Sequence, residues 1–110
     1  MKASYAVSYA PQALEDLKDI YAYIAFTLQA VSTAKNQVNQ IRKEIRALDA
    51  MPLRYPVVDW EPWRSLRMRK MPVGHFIVFY TADTEVNAVT VIRIVYGGRN
   101  LEALAQEVKT

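Results

Sequence analysis

The first half of the chain contains one short alternating pattern and two helical patterns. Tyr5, Val7 and Tyr9 alternate with smaller residues, which predicts a short β-strand. Pro11 suits the first position of a following helix. The apolar stripe of that helix comprises Leu14, Leu17, Ile20, Tyr21, Ile24 and Leu28. After the break "QAVST", with Ser32 as the predicted N-cap, a second helix has an apolar seam of Ala34, Val38, Ile41, Ile45 and Leu48. The two helices should form an antiparallel hairpin.

The second half of the chain is strand-like. The segment "MPLRYPVVDWEPWRS" carries three of the five prolines and both tryptophans, which predicts an extended connection anchored by aromatic side chains. Three strand patterns follow, "SLRMRKM", "HFIVFYTA" and "AVTVIRIVY". Their separating segments, "PVG" and "DTEVN", are short enough for hairpins, so an antiparallel meander is expected. The segment "NLEALAQEV", residues 100–108, predicts a short last helix with Asn100 as its cap.

The order strand, two helices, three strands and helix predicts an α+β fold, with the helical hairpin on one face of a small sheet. Residues 1–110 should form a single domain, because a chain of this length with 52% hydrophobic residues can build one core without disulfides or metal. The absence of cysteine, of a membrane-span pattern and of a signal-peptide pattern predicts a soluble, cytoplasmic protein. No phosphate-binding loop or metal-ligand cluster is present, so no cofactor is expected.

Positive charge concentrates in the second half. The sixty-three residues before Arg64 hold seven basic and seven acidic residues, whereas six basic residues stand against two acidic ones between Arg64 and Asn100. In the first strand of the meander, alternation places Arg67 and Arg69 on the face opposite Leu66 and Met68. If the apolar pair faces the helices, two guanidinium groups stand on the open face of the sheet, where they would attract phosphate. The alternative is a solvated basic face without a partner.

The last strand carries apolar residues on both faces, which is typical of a central strand. Alternation groups Ile92, Ile94 and Tyr96 on one face. It groups Val91, Arg93 and Val95 on the other face, where Arg93 is available to pair with a carboxylate.

Three segments in register resemble the RelE/ParE family, the toxins of bacterial type II toxin-antitoxin modules. They are "YAVSYAPQALEDLKDIYAYI", "LRMRKMPVGHFIVFY" and "VIRIVYGGRN", and the resemblance extends from Tyr5 to about Leu104. It implies the fold described above and a cognate antitoxin encoded alongside as the partner. It also implies one of two activities, because RelE-like members cut mRNA on the ribosome without a metal and ParE-like members poison DNA gyrase.

The resemblance also implies the site residues. Arg67 and Arg69 match the basic strand that faces RNA in RelE-like members, and Arg99 matches the basic residue after the last strand. Arginine fits the phosphate oxygens but stays charged, so it cannot transfer a proton. The local candidates for proton transfer are therefore His75, the only histidine, and Lys70.

Three functional hypotheses follow. The first is a metal-independent mRNA interferase that acts on ribosome-bound transcripts through Arg67, Arg69 and Arg99. The second is a ParE-like inhibitor of DNA gyrase without nuclease activity. It is favoured by the N-terminal pattern, by Ile77 where RelE-like members carry an arginine, and by Leu104 or Ala105 where they carry a tyrosine. The third is a non-toxic protein that only binds its antitoxin.

Overall fold

The computed structural model describes residues 4–98, so the predicted last helix, residues 100–108, and Arg99 lie outside the described residues. The elements are β1 (Ala6–Tyr9), α1 (Pro11–Ala22) with a π-helical extension (Tyr23–Thr27), α2 (Val31–Arg46) with a 3-10 turn (Ala47–Asp49), β2 (Arg69–Val73), β3 (Phe76–Asp83) and β4 (Ala88–Tyr96). The predicted α+β fold is confirmed. Within residues 4–98, no helix combines the length and the apolar character that crossing a membrane requires.

The four strands form one sheet in the order β1-β4-β3-β2. β2, β3 and β4 are antiparallel neighbours, as the meander prediction required, and β1 joins β4 in parallel. β4 is therefore a central strand with neighbours on both sides, which explains why its residues are apolar on both faces.

The helices cover one face of the sheet, and the main core lies between them. The first cluster combines α1 and α2 with one face of the strands; its buried residues include Leu17, Ile41, Ile45, Val78, Tyr80 and Ile94. The predicted stripe of α1 is partly wrong, because Leu14 and Leu28 are exposed and Ala13 is buried instead. The predicted cap is also wrong: α2 begins at Val31, after Ala30, and Ser32 does not cap it.

The second face of the sheet is covered by the connection between α2 and β2. Val58, Trp63, Met68, Phe79 and Val95 are buried together there. The Trp63 ring lies 4.6 Å from the Phe79 ring, between centroids. The predicted aromatic anchoring of this connection is confirmed, and it leaves both faces of the sheet covered.

A buried ion pair joins α1 to the part of β4 that extends beyond β1. The Nε atom of Arg93 donates to Asp16 Oδ2 at 2.7 Å, and its Nη2 atom donates to Oδ1 at 3.1 Å. The backbone N–H of Ile94 also donates to Asp16 Oδ2, at 2.9 Å. The carboxylate thus replaces a strand as the partner of the β4 edge. Pairing of Arg93 with a carboxylate is confirmed.

The predicted faces of β4 are wrong because the strand contains a β-bulge. Phe79 pairs with Arg93 and Tyr80 pairs with Val91, so Ile92 has no partner in β3. The extra residue changes the phase of alternation. Val91 and Ile94 consequently share the helix-side cluster, while Val95 lies in the other. Tyr96, which alternation groups with Ile92 and Ile94, is 60% exposed.

Removal of the Asp16 carboxylate should destabilise the fold strongly. Asp16→Ala leaves Arg93 buried without its counterion and Ile94 N–H without its acceptor, so the free energy of unfolding should fall by about 3–5 kcal/mol. Urea denaturation measures this value. Asp19→Ala, an exposed change on the same helix, is the control and should stay within about 0.5 kcal/mol of the wild type. A loss below 1 kcal/mol in Asp16→Ala would contradict this role.

Candidate functional site

Arg67 lies in a tight turn just before β2, and not in the strand predicted for it. Residues 62–66 form one helix-like turn. Two backbone hydrogen bonds close this turn at its C-terminal end. Met68 N–H donates to Trp63 O at 3.0 Å, and Arg67 N–H donates to Arg64 O at 3.0 Å. This pair of bonds defines a Schellman motif, whose usual apolar contact is made here by Trp63 and Met68.

Glu61 supports this turn from its N-terminal side. Its carboxylate accepts hydrogen bonds from Ser65 N–H at 2.9 Å and from Ser65 Oγ at 2.8 Å. These hydrogen bonds lower the pKa of Glu61 below its usual value. The carboxylate also lies 3.4 Å from Arg64 Nη2. The turn is therefore fixed by interactions in which the Arg67 side chain takes no part.

Arg67 occupies the position of the Schellman motif that glycine usually fills. Its φ is +56°, in the left-handed region, which costs an L-residue roughly 1–2 kcal/mol. The side chain itself is exposed. An arginine here is thus unfavourable for the backbone and contributes nothing to the core.

Arg69 is the first residue of β2, but it points to the helix side of the sheet. Its register partner is Tyr80, and its strand neighbours on the same face are Met71 and Val73. The guanidinium Nη1 donates to the carbonyl oxygens of Leu53 at 3.2 Å and Tyr55 at 2.5 Å. The prediction that Arg67 and Arg69 project together from an open face is wrong, because Met68 turns away from the helices towards Trp63.

Tyr80 is fully buried beside Arg69, and its hydroxyl donates to Pro52 O at 2.6 Å. Burial raises the pKa of Tyr80 to about 12, against the opposing effect of the Arg69 charge. Arg69 and Tyr80 together hold residues 52–55 against the end of the sheet. Both side chains therefore have a structural role in this corner of the fold.

Lys70 and His75 do not join Arg67. Lys70 pairs with Phe79 on the opposite face from Arg69, and its Nζ lies 5.5 Å from the centre of the Trp60 ring. His75 is exposed in the turn between β2 and β3, at the far end of β2. Gly97 N–H donates to His75 O at 2.9 Å, so the end of β4 lies beside that turn. Of the four predicted site residues that lie within residues 4–98, Arg67 and Arg69 line the same groove.

The two arginines line an open groove of about 610 Å³ at the end of the sheet. Leu53, Leu66 and Arg67 line it from the connection, Asp83 from the end of β3, and Glu85 from the β3–β4 turn. We define these five residues and Arg69 as the end groove. Asp83 Oδ1 accepts the Glu85 N–H at 3.0 Å, and no ion pair joins Arg67 to either carboxylate in residues 4–98.

Sequence reasoning missed three members of the end groove. Leu53 was assigned to an anchored connection, and the acidic turn "DTEVN" was considered only as a hairpin. The available signal was charge, because Asp83 and Glu85 are the only acidic residues between Arg64 and Asn100. The groove offers cationic, anionic and apolar contacts. Within residues 4–98, no cluster of three His, Asp or Glu residues could hold a metal.

Comparison with known proteins gives a consistent result. Residues 7–101 match the family model described as the ParE toxin of the type II toxin-antitoxin system parDE. No protein with a curated description matches the chain in sequence. Its fold is similar to that in the chromosomal ParDE system from P. aeruginosa, with a TM-score of 0.69 and 16% identity over 86% of this chain and 98% of that one.

Two further solved structures share the fold. The toxin-antitoxin complex RelBE2 from Mycobacterium tuberculosis has a TM-score of 0.63 and 18% identity over 84% of this chain and 98% of that one. A mutant of the E. coli toxin RelE in the free state has a TM-score of 0.64 and 11% identity, over 96% and 99% of the respective chains. At these identities the similarity establishes the fold alone.

Arg67→Gly should stabilise the protein. Glycine removes the left-handed penalty but gains entropy in the unfolded chain, so the net increase in unfolding free energy should be about 0.5–1 kcal/mol. Urea denaturation provides the measurement. The reverse control is Gly74→Ala: φ at Gly74 is +59° and a new Cβ would approach Gln37 Nε2 only to 3.5 Å, so a comparable loss is expected. Destabilisation by Arg67→Gly would contradict the assigned turn.

Tyr80 should make stability fall at alkaline pH. Its pKa rises from 10.0 to about 12 on folding, so between these values the unfolded chain releases the proton first and the unfolding free energy decreases. Urea denaturation at a series of pH values above 9 measures this slope, and Tyr80→Phe should reduce it. An unchanged slope in that variant would contradict the assignment.

Proposed function

Because the chain belongs to the ParE toxin family of type II toxin-antitoxin systems, we propose that it is a non-catalytic toxin that inhibits DNA gyrase and that a cognate antitoxin neutralises it. The family match covers residues 7–101. The gyrase target comes from the resemblance to ParE-like members. The antitoxin partner is supported by the similar solved structures, of which one is a ParDE system and another a RelBE2 complex.

The separation of the residues expected to catalyse RNA cleavage carries this proposal. Cleavage through the 2′-hydroxyl needs a base, an acid and a cation at one phosphate. Lys70 lies against Trp60, and His75 lies at the other end of β2 from Arg69. Neither group is therefore positioned to transfer a proton at a phosphate held by Arg67.

The hydrogen bonding of Arg69 within the fold also favours a non-catalytic toxin. Its guanidinium Nη1 already donates to two backbone carbonyls, Leu53 O and Tyr55 O. Loss of these bonds would release the segment that Tyr80 also holds through Pro52 O. Arg69 is thus a structural residue in the proposed toxin, and among residues 4–98 Arg67 remains as the exposed cation of the end groove.

Expression of the chain alone in a bacterium tests this proposal. Growth should stop and gyrase-dependent DNA breaks should accumulate, while transcript ends stay unchanged. His75→Ala and Lys70→Met should remain toxic, because a non-catalytic inhibitor needs neither group for proton transfer. Mapping of DNA breaks and transcript ends in the same culture measures both activities.

Co-expression with the antitoxin from the adjacent reading frame is the control and should restore growth. New transcript ends without DNA breaks, lost in the His75 or Lys70 variant, would instead favour an mRNA interferase. Normal growth with the chain produced at high level, combined with antitoxin binding, would favour a protein that has lost toxicity.

A further inference from the structure

We propose that the end groove receives the target protein, and that its occupant is a polypeptide segment with an acidic side chain for Arg67, an adjacent apolar side chain and a basic side chain for Asp83 and Glu85. This inference rests on the proposed function, because a toxin without catalysis must act through a surface that binds its target.

The first argument is the conformation of Arg67. Residues in the left-handed region are uncommon outside glycine and asparagine, and such strain collects at functional sites. The hydrogen bonds of this turn involve only the backbone at position 67. A glycine would therefore make the same turn at a lower conformational free-energy cost. The role of the arginine side chain is thus a contact with another molecule.

The second argument is the arrangement of charge. Arg67 and Arg69 contribute two guanidinium groups to the groove lining, and Asp83 and Glu85 contribute two carboxylates. A nucleic acid presents only negative charge and would meet repulsion from the two carboxylates. A polypeptide can present both signs within a few residues, so it is complementary to this groove where a polyanion is not.

The third argument is the exposed apolar surface in the same groove. Leu53 is 48% exposed and Leu66 is 43% exposed, and both line the groove. Protein interfaces combine such apolar contacts with arginine, which is enriched among residues that dominate binding energy. The groove thus has the composition of a small protein-binding centre.

The test compares binding of purified DNA gyrase to wild-type toxin and to two glycine variants. Arg67→Gly removes the guanidinium, so the Kd for gyrase should rise about tenfold or more. Gln29→Gly is the matched control. Gln29 also has a positive φ, +54°, but it lies between the two helices, outside the end groove, and its replacement should leave the Kd unchanged.

A charge variant tests the carboxylates of the groove. Glu85→Lys should also weaken gyrase binding, because it would repel the basic side chain of the occupant. Urea denaturation of each variant establishes that it is folded; Arg67→Gly should be at least as stable as the wild type. Weakened binding by a more stable variant separates the role of the side chain from its effect on folding.

The outcomes distinguish the two proposals. If wild-type toxin fails to bind gyrase, the proposed function and this inference both fail. If wild-type toxin binds and Arg67→Gly binds equally well, the inference alone is overturned. It is also overturned if Arg67→Gly weakens binding of the purified antitoxin and leaves gyrase binding intact, because the groove would then receive the inhibitor.

Discussion

The contact of Asp16 with β4 determines how the two layers of this fold meet. β1 pairs with β4 only as far as Val91, and beyond that point the edge of a central strand would lack a partner. The Asp16 carboxylate takes the place of that partner, because it accepts hydrogen bonds from Ile94 N–H and from Nε and Nη2 of Arg93. A buried ion pair adds little net stability compared with apolar residues of the same volume. The ion pair instead fixes the position of α1 on the sheet, because its hydrogen bonds form only when Asp16 lies beside Arg93 and Ile94.

The elements with clear periodicity could be predicted from the sequence. The seam of α2 and the three-stranded meander are regular, and the structure contains both. Two local irregularities could not be predicted, because neither has a residue signature. The bulge at Ile92 lies in the continuous apolar run of "VTVIRIVY", where an extra residue leaves no mark. The Schellman turn at Arg67 lacks the glycine by which such a turn is usually recognised in a sequence.

The turn at Arg67 reversed the predicted directions of the site residues in β2. A start of β2 at Ser65 would have placed Arg67 and Arg69 on one open face, whereas the turn places Met68 under Trp63 and begins the strand at Arg69. Because side chains alternate along a strand, this reversal directs Arg69 to the helix side and Lys70 to Trp60. The residue types of the candidate site were visible in the sequence, but their directions depended on the turn that buries Met68 beside Trp63.

The two covered faces of the sheet restrict where this chain can bind a partner. Helices bury one face and the aromatic connection buries the other, so the described strands offer no open basic platform for RNA. The remaining surfaces are the outer sides of the helices and the ends of the strands. Charged side chains at the ends of strands and in the adjoining turns can stay exposed to solvent. In the middle of a sheet covered on both faces, the same side chains would be buried. The end groove follows from this constraint, since Arg67 and Glu85 lie in turns and Asp83 is the last residue of β3, all at the same end of the sheet.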